Sequence, residues 1–139
     1  MIQGILVPVD GSEFTKRNVS YACDVAKAFD SKLTLVHVVT LPAVVEPGFP
    51  IDPKPFEDTG LRTLENAKKI AEDMGLESQT VLETTFGNAA QKILKVAEEK
   101  KIDLIVIGSR GHSRLRNLLV GSVCDTVVRN APCPVLVVR

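Results

Sequence analysis

Glycines and basic side chains between residues 108 and 122 form the stretch of this chain whose residue types and spacing could do chemistry. Gly108 and Gly111 are followed, after nine further residues, by Gly121 and Ser122. Glycines let backbone N–H groups approach an anion because no Cβ intervenes, and a helix starting at Ser122 would add unpaired N–H groups and a partial positive charge. The loop also carries forked or basic donors that fit phosphate oxygens, namely Arg110, His112, Arg114 and Arg116. This combination predicts a phosphate-binding loop.

A simpler interpretation of the same residues is that the glycines only turn the chain and the arginines only face solvent. The spacing Gly-x2-Gly-x9-Gly-Ser is not a P-loop, because G-x-x-x-x-G-K-[ST] does not occur, and it is not G-x-G-x-x-G either. The length and order of the whole spacing favour the phosphate-binding interpretation over the turn interpretation.

Alternating strands and helices are the elements that must position this loop. Apolar runs predict strands at residues 2–9, 33–39, 78–82, 104–107 and 134–138. Helical periodicity predicts helices at about residues 13–29, with Ser12 as N-cap, 56–74, 88–100, capped by Asn88, and 122–130. Such alternation indicates an α/β fold with a parallel sheet and helices on both faces. We assign it as a Rossmann-like open five-stranded parallel sheet and take the strand order as 3-2-1-4-5. Residues 1–139 are predicted to form a single domain.

The carboxyl ends of the first and fourth strands should frame the binding site. In an open parallel sheet, ligands bind where the winding direction reverses, beyond the strand ends. For this strand order, Pro8, Val9 and Asp10 would lie opposite Ile107 and Gly108. Asp10 either accepts a hydrogen bond from a ribose hydroxyl or an adenine amine, or it is a turn residue in Asp-Gly-Ser; position alone leaves both open.

Charge and composition narrow the classes of partner. Seventeen basic and seventeen acidic residues cancel, which argues against a general nucleic-acid or membrane binder. The first residues lead into a strand without the layout of a signal peptide, and no apolar run has the length of a membrane span. Cys23, Cys124 and Cys133 contain no C-x-x-C pair. We expect a cytoplasmic protein.

Catalytic patterns are weaker than the binding pattern. No G-x-S-x-G elbow is present, and Ser109, His112 and Ser113 are too close in sequence to form a triad. His37 is interpreted as a satisfied strand histidine rather than a metal ligand. Residues 40–55 hold five prolines and are predicted to form an irregular loop, mobile when the site is empty, that serves as a lid or a partner surface.

Four motifs make the chain resemble the universal stress protein family over nearly its whole length. They are V-P-V-D-G-S at 7–12, L-V-H-V at 35–38, G-S-R-G…G-S-V at 108–123 and C-P-V-L-V-V at 133–138. The spacing matches the family's ATP-binding branch, and the resemblance implies ATP, with Mg²⁺ held mainly by the phosphates. It places adenosine contacts at Pro8, Val9, Asp10, Val38 and Ile107, and phosphate and ribose contacts at Gly108, Arg110, Gly111, Gly121, Ser122 and Val123.

The function that follows is a nucleotide-dependent switch or regulator in the stress response, working with an unidentified protein partner. Two alternatives stay open: a slow ATPase or phosphotransferase using the same site, and a protein-interaction member without nucleotide. The resemblance also implies a homodimer, and the apolar edge at residues 134–138 favours it because exposed apolar edges are normally paired or covered. A proline usual in the family shortly after Gly87 is missing here, which bears on the shape of that loop.

Overall fold

The computed structural model describes residues 1–42, 47–111 and 121–139, in which strands and helices alternate along the chain. The elements are β1 (Gly4–Pro8), α1 (Thr15–Phe29), β2 (Lys32–Thr40), α2 (Lys54–Asp73), β3 (Ser78–Thr85), α3 (Ala89–Glu99), β4 (Leu104–Gly108), α4 (Ser122–Asn130) and β5 (Val135–Val138). The described strands form one parallel sheet of order β3-β2-β1-β4-β5. The predicted fold class and strand order are confirmed.

Alternation along the strands divides the core into two layers, one on each face of the sheet. Ile5 and Val7 of β1 pack with residues of α1 and α2, whereas Leu6 packs with residues of α3 and α4. Leu104 and Ile105 of β4 divide in the same way, as expected when successive side chains point to opposite faces. None of the described helices has both the length and the apolar character needed to cross a bilayer.

Several boundaries differ from those the sequence predicts. Helix α1 begins at Thr15 instead of residue 13, because the Ser12 carbonyl accepts the Thr15 N–H at 3.1 Å and turns the chain first. Helix α2 begins at Lys54, with Pro53 as its N-cap, since proline is tolerated where helix N–H groups are unpaired anyway. Strand β3 continues to Thr85 because it stays in register with β2 as far as Thr40.

The two central strands stay paired over a short distance only. Ile5 lies opposite Leu104 and Leu6 opposite Ile105, whereas β1 remains paired with β2 up to Pro8 and β4 with β5 up to Gly108. Beyond Leu6 and Ile105, β1 and β4 therefore separate toward their carboxyl ends. The crevice expected at the reversal of winding opens between them.

The Asp103 carboxylate ties the start of β1 to the start of β4. It accepts hydrogen bonds from the backbone N–H groups of Gln3, at 2.9 Å, and Gly4, at 3.0 Å. These two bonds hold the pKa of Asp103 below its ordinary value, and the bond from Gln3 has the larger effect. Because the folded state lowers this pKa, the stabilisation is present at neutral pH and is lost as the pH falls through the lowered value.

We expect an Asp103→Ala variant to unfold at a lower temperature than the wild type at pH 7. The difference in Tm should shrink as the pH is lowered into the acid range, since the wild-type carboxylate then becomes protonated too. Calorimetry across a pH series measures it, with the exposed Asp24→Ala as control. A Tm difference that stays constant with pH would contradict the role of the charge.

Candidate functional site

The separated ends of β1 and β4 open into a cleft of about 370 Å³, a volume in the range of small-molecule sites. Strands β1, β2 and β4, the residues after them, and the first turns of α1, α3 and α4 contribute to its walls. The described residues that line it are Pro8, Val9, Asp10, Asn18, Val36, His37, Val38, Thr40, Ala89, Ile93, Ile107, Gly108, Ser109, Arg110, Gly111, Gly121, Ser122, Val123 and Cys124.

One end of the cleft is apolar. Val36 and Val38 of β2 face Ile93 of α3, and Ile107 of β4 belongs to the same apolar cluster. Their packing leaves a hydrocarbon wall with few polar groups. Such a wall suits the flat apolar part of a ligand, whose burial from water is favourable.

The other end of the cleft is formed by glycine backbone and the N-terminus of α4. The Ser109 carbonyl accepts the Gly121 N–H at 2.8 Å, and the Ser109 N–H donates to the Val138 carbonyl at 2.8 Å. The first bond holds the start of α4 against the end of β4, and the second ties the end of β4 to β5. The first N–H groups of α4, beginning at Ser122, have no partner within the helix. They supply donors and a partial positive charge suited to an anion.

The side chain of Asp10 contacts both the turn after β1 and the glycine end of the cleft. Its Oδ1 accepts the Ser12 N–H at 2.9 Å, which forms the turn after β1. Its Oδ2 lies against Gly111, so closely that a Cβ on Gly111 would overlap it. Both sequence interpretations of Asp10 therefore have a structural basis, because one oxygen shapes the turn and the carboxylate also lines the cleft.

Arg110 is placed at the exposed side of the cleft by an aromatic ring. Its Cζ lies 5.9 Å from the centre of the Phe14 ring, within the range of a cation–π contact. This contact holds a forked cationic donor beside the glycine backbone. An anionic group in the cleft would meet both.

Two further lining side chains, His37 and Cys124, have defined chemical states. His37 Nδ1 lies 2.7 Å from the Val9 carbonyl oxygen. The ring therefore donates a hydrogen bond from Nδ1 to this carbonyl, as expected for a satisfied strand histidine. Burial, with the charge of Asp125, raises the pKa of the Cys124 thiol. Cys124 therefore stays a thiol at neutral pH, and a thiolate nucleophile is not expected there.

The structure brings all the sequence-predicted binding residues to this one cleft. Pro8, Val9, Asp10, Val38, Ile107, Gly108, Arg110, Gly111, Gly121, Ser122 and Val123 all line it; their roles toward a ligand stay predictions. His112, Arg114 and Arg116 lie outside the described residues, as does the part of the proline-rich loop at 43–46.

Sequence reasoning missed Asn18 and Ser109. Asn18 stands in the first turns of a helix, where a polar residue usually faces solvent, and Ser109 was considered only as a triad member. Both are buried, at 7% and 2% exposure, and both line the cleft. The one signal in the sequence was that Asn18 lies one turn before Ala22, on the buried side of α1.

Within the described residues, no group of three or more His, Cys, Asp or Glu side chains is placed to hold a metal ion. The cleft instead offers an apolar wall, a carboxylate, an arginine, glycine backbone and a helix N-terminus. Such an arrangement can bind a molecule with a flat apolar part, a hydroxylated middle and an anionic end.

Comparison with known proteins agrees with this geometry. Residues 1–139 match the model of the Universal stress protein family. A universal stress protein of Bacillus subtilis is 36% identical over 152 aligned positions that cover all of both chains. The fold is also that of a universal stress protein from Archaeoglobus fulgidus in complex with dAMP, with a TM-score of 0.73, 28% identity and full coverage of both chains. A universal stress protein in complex with cAMP gives a TM-score of 0.76 and 25% identity, covering 99% of this chain and 97% of the other.

Proposed function

Because the chain belongs to the universal stress protein family, we propose that its cleft binds an adenine nucleotide. The observation that carries the proposal is that one cleft has two different ends. Val38 and Ile107 form an apolar wall at one end, and Gly111 and the N-terminus of α4 at Ser122 form the other. The base would lie on the apolar wall, the ribose near Asp10, and the phosphates at the glycine end. The relatives solved with dAMP and cAMP support this choice of ligand.

ATP is the nucleotide that we propose, as in the ATP-binding branch of the family. The backbone of Gly111 and the first N–H groups of α4, beginning at Ser122, lie along the cleft, and Arg110 next to Gly111 adds a forked donor. Mg²⁺ would be held mainly by the phosphates, since it keeps several of its waters. The residues of the cleft fit a nucleotide whose phosphates carry the Mg²⁺, because they supply donors for phosphate oxygens.

Native mass spectrometry of the purified protein, followed by calorimetric titration, tests the proposal. We expect a retained adenine nucleotide, or saturable one-to-one binding of ATP to the emptied protein. GTP serves as the control, because the two nucleotides share their phosphates and differ in the base. Absence of ATP binding would overturn the proposal, and equal affinity for GTP would overturn the choice of adenine as the base.

We further propose that the bound nucleotide acts as a regulatory signal in the stress response and is not a substrate turned over rapidly. The Cys124 thiol is held protonated, His37 already donates to Val9, and the carboxylate of Asp10 already accepts the Ser12 N–H. Steady-state assays with Mg²⁺ separate the alternatives. A switch retains ATP with little release of ADP, whereas sustained turnover would favour the ATPase.

A homodimer joined through β5 is the assembly that we propose. Ile105 N–H donates to the Pro134 carbonyl at 3.1 Å and Ser109 N–H to the Val138 carbonyl. Alternation along the strand then directs the N–H of Val137 away from β4. Among the described strands β5 has a partner on one side only, and pairing with a second copy about a two-fold axis would satisfy both edges.

We expect Val137→Pro to halve the mass measured by light scattering, because proline removes the N–H donor at the centre of the pairing edge. Val137→Thr is the matched control, since threonine keeps the N–H and favours strands. A wild type that scatters as a monomer at high micromolar concentration would refute the dimer. A Val137→Pro variant that remains dimeric would exclude β5 as its seam.

A further inference from the structure

The side chain of Asn18 reaches the cleft from α1, which packs on the opposite face of the sheet from α3 and α4. Its amide lies so close to Gly108 that a side chain at that position would overlap it. A Cβ on Gly108 would come within 3.0 Å of Asn18 Oδ1, 2.9 Å of its Cγ and closer still to its Nδ2. The amide therefore sits at the gap where β1 and β4 separate, and it forms part of the cleft wall.

Burial makes this amide unusual. Asn18 is only 7% exposed, and within residues 1–42, 47–111 and 121–139 no hydrogen bond joins its side chain to another group. Among the described residues, the side-chain atoms that are both fully enclosed and without a partner are Thr15 Oγ1 and Ser78 Oγ. The polar atoms of the Asn18 amide therefore keep an opening, and this opening is the cleft that Asn18 lines. A mostly buried amide that opens only into the cleft is placed to donate to a molecule bound there, because few waters can reach it.

We propose that Asn18 is a ligand-binding residue, whose side-chain N–H group donates a hydrogen bond to the phosphate nearest the ribose of the bound nucleotide. The inference rests on the proposed nucleotide function and adds a residue that neither the sequence motifs nor the family resemblance assigned. Asn18 contacts Gly108 at the glycine end of the cleft, away from the apolar wall of Val38 and Ile93.

Some backbone N–H groups at the glycine end already donate within the protein, so a bound phosphate would need further donors such as the amide of Asn18. The Ser109 N–H donates to Val138 and the Gly121 N–H to Ser109. A phosphate entering between these segments keeps unfilled acceptor sites, and a neutral amide can donate to them without bringing a second charge. In this arrangement Asn18 donates to the first phosphate from the buried side of the cleft, and Arg110 contacts the phosphates from the exposed side.

Calorimetric titration of the full chain with adenosine, AMP and ATP tests the inference. Asn18→Ala should weaken AMP and ATP about tenfold or more, the effect of losing a hydrogen bond to a charged group. Adenosine, which has no phosphate, should keep its affinity within about twofold. Asn18→Asp, of the same shape, should weaken AMP and ATP further, because a carboxylate repels phosphate.

Thr15→Val is the matched control variant. Thr15 lies one turn earlier on α1, is 8% exposed, and its hydroxyl has no hydrogen-bond partner, yet it does not line the cleft. Because valine removes only an unsatisfied hydroxyl, all three ligands should bind as they bind the wild type. A change in thermal stability without a change in the ratio of AMP to adenosine affinity would indicate a purely structural residue.

A second measurement needs no substitution that could impair folding. In the wild type, the NMR signal of the Asn18 side-chain NH₂ should shift on addition of AMP and much less on addition of adenosine. Equal shifts, or equal losses of adenosine and AMP affinity in Asn18→Ala, would overturn the assignment to phosphate. A wild type that binds AMP while Asn18→Ala binds it equally well refutes this inference alone, whereas a wild type that binds no adenine nucleotide refutes the proposed function as well.

Discussion

Replacing Gly111 by valine is expected to weaken ATP binding by at least ~1.4 kcal/mol, a tenfold loss of affinity, in a protein that still folds. Even a single Cβ at this position would overlap Oδ2 of Asp10. The added side chain must displace Asp10 or occupy the cleft itself. Either movement removes space at the point where the ribose and phosphates are proposed to lie. Calorimetric titration with ATP measures the loss.

Gly87→Val is the matched control for this substitution. A Cβ on Gly87 would meet only Thr85 Oγ1, at 3.9 Å, which is an ordinary contact. The residue also lies outside the cleft lining, so ATP affinity should be unchanged. If a folded Gly111→Val protein binds ATP as tightly as Gly87→Val does, the close approach of Gly111 to the ligand is wrong.

Asp10→Ala should weaken ATP and adenosine alike, by about 1.5–3 kcal/mol for a lost hydrogen bond to a charged group. The carboxylate lines the cleft beside Gly111, and we predict that it accepts a hydrogen bond from the nucleoside and not from the phosphates. Parallel titrations with ATP, AMP and adenosine measure the three affinities. A loss confined to ATP would contradict this role.

Asp10→Asn separates the two uses of this side chain. Asparagine keeps an oxygen that can accept the Ser12 N–H, so the turn made by the 2.9 Å bond can persist. The charge at the cleft is removed. If only the turn matters, Asp10→Asn binds like the wild type; if the carboxylate contacts the nucleoside, Asp10→Asn loses much of what Asp10→Ala loses.

The parallel α/β sheet and the location of the site could be predicted from the sequence because both follow from patterns along the chain. The unbroken apolar run before Gly108 predicts a strand covered on both faces, and its glycine loop marks the reversal of winding. Asn88 was identified as an N-cap, and its side chain accepts the Ala90 N–H at 2.8 Å. These features need no knowledge of distant contacts.

The boundaries that were wrong depend on competition between nearby groups. Ser12 was predicted to cap α1, but its N–H bonds to Asp10 and its hydroxyl accepts the Phe14 N–H at 3.3 Å, so the turn continues to Thr15. Phe29, an apolar residue that helical periodicity would place in the core, is 50% exposed. It is the last residue of the helix, where no neighbouring element covers it.

Asn18 could not be recognised from sequence because its burial is produced by another part of the chain. The amide is covered where β4 ends at Gly108, ninety residues away in sequence. Helical periodicity places the residue on one side of α1 but contains no information about what lies against that side. Only the packed structure shows that this side chain opens into the cleft.

The hydrogen bond from the Gly121 N–H to the Ser109 carbonyl joins the end of β4 directly to the start of α4. The relative position of these two elements is therefore set by a contact between them, so a change in the number of residues between 112 and 120 need not move either one. Each doubling of a flexible connection costs only about 0.6 kcal/mol of closure entropy. Insertions within 112–120 should therefore leave the glycine end of the cleft in place, whereas changes at Arg110 and Gly111, which line the cleft, should not.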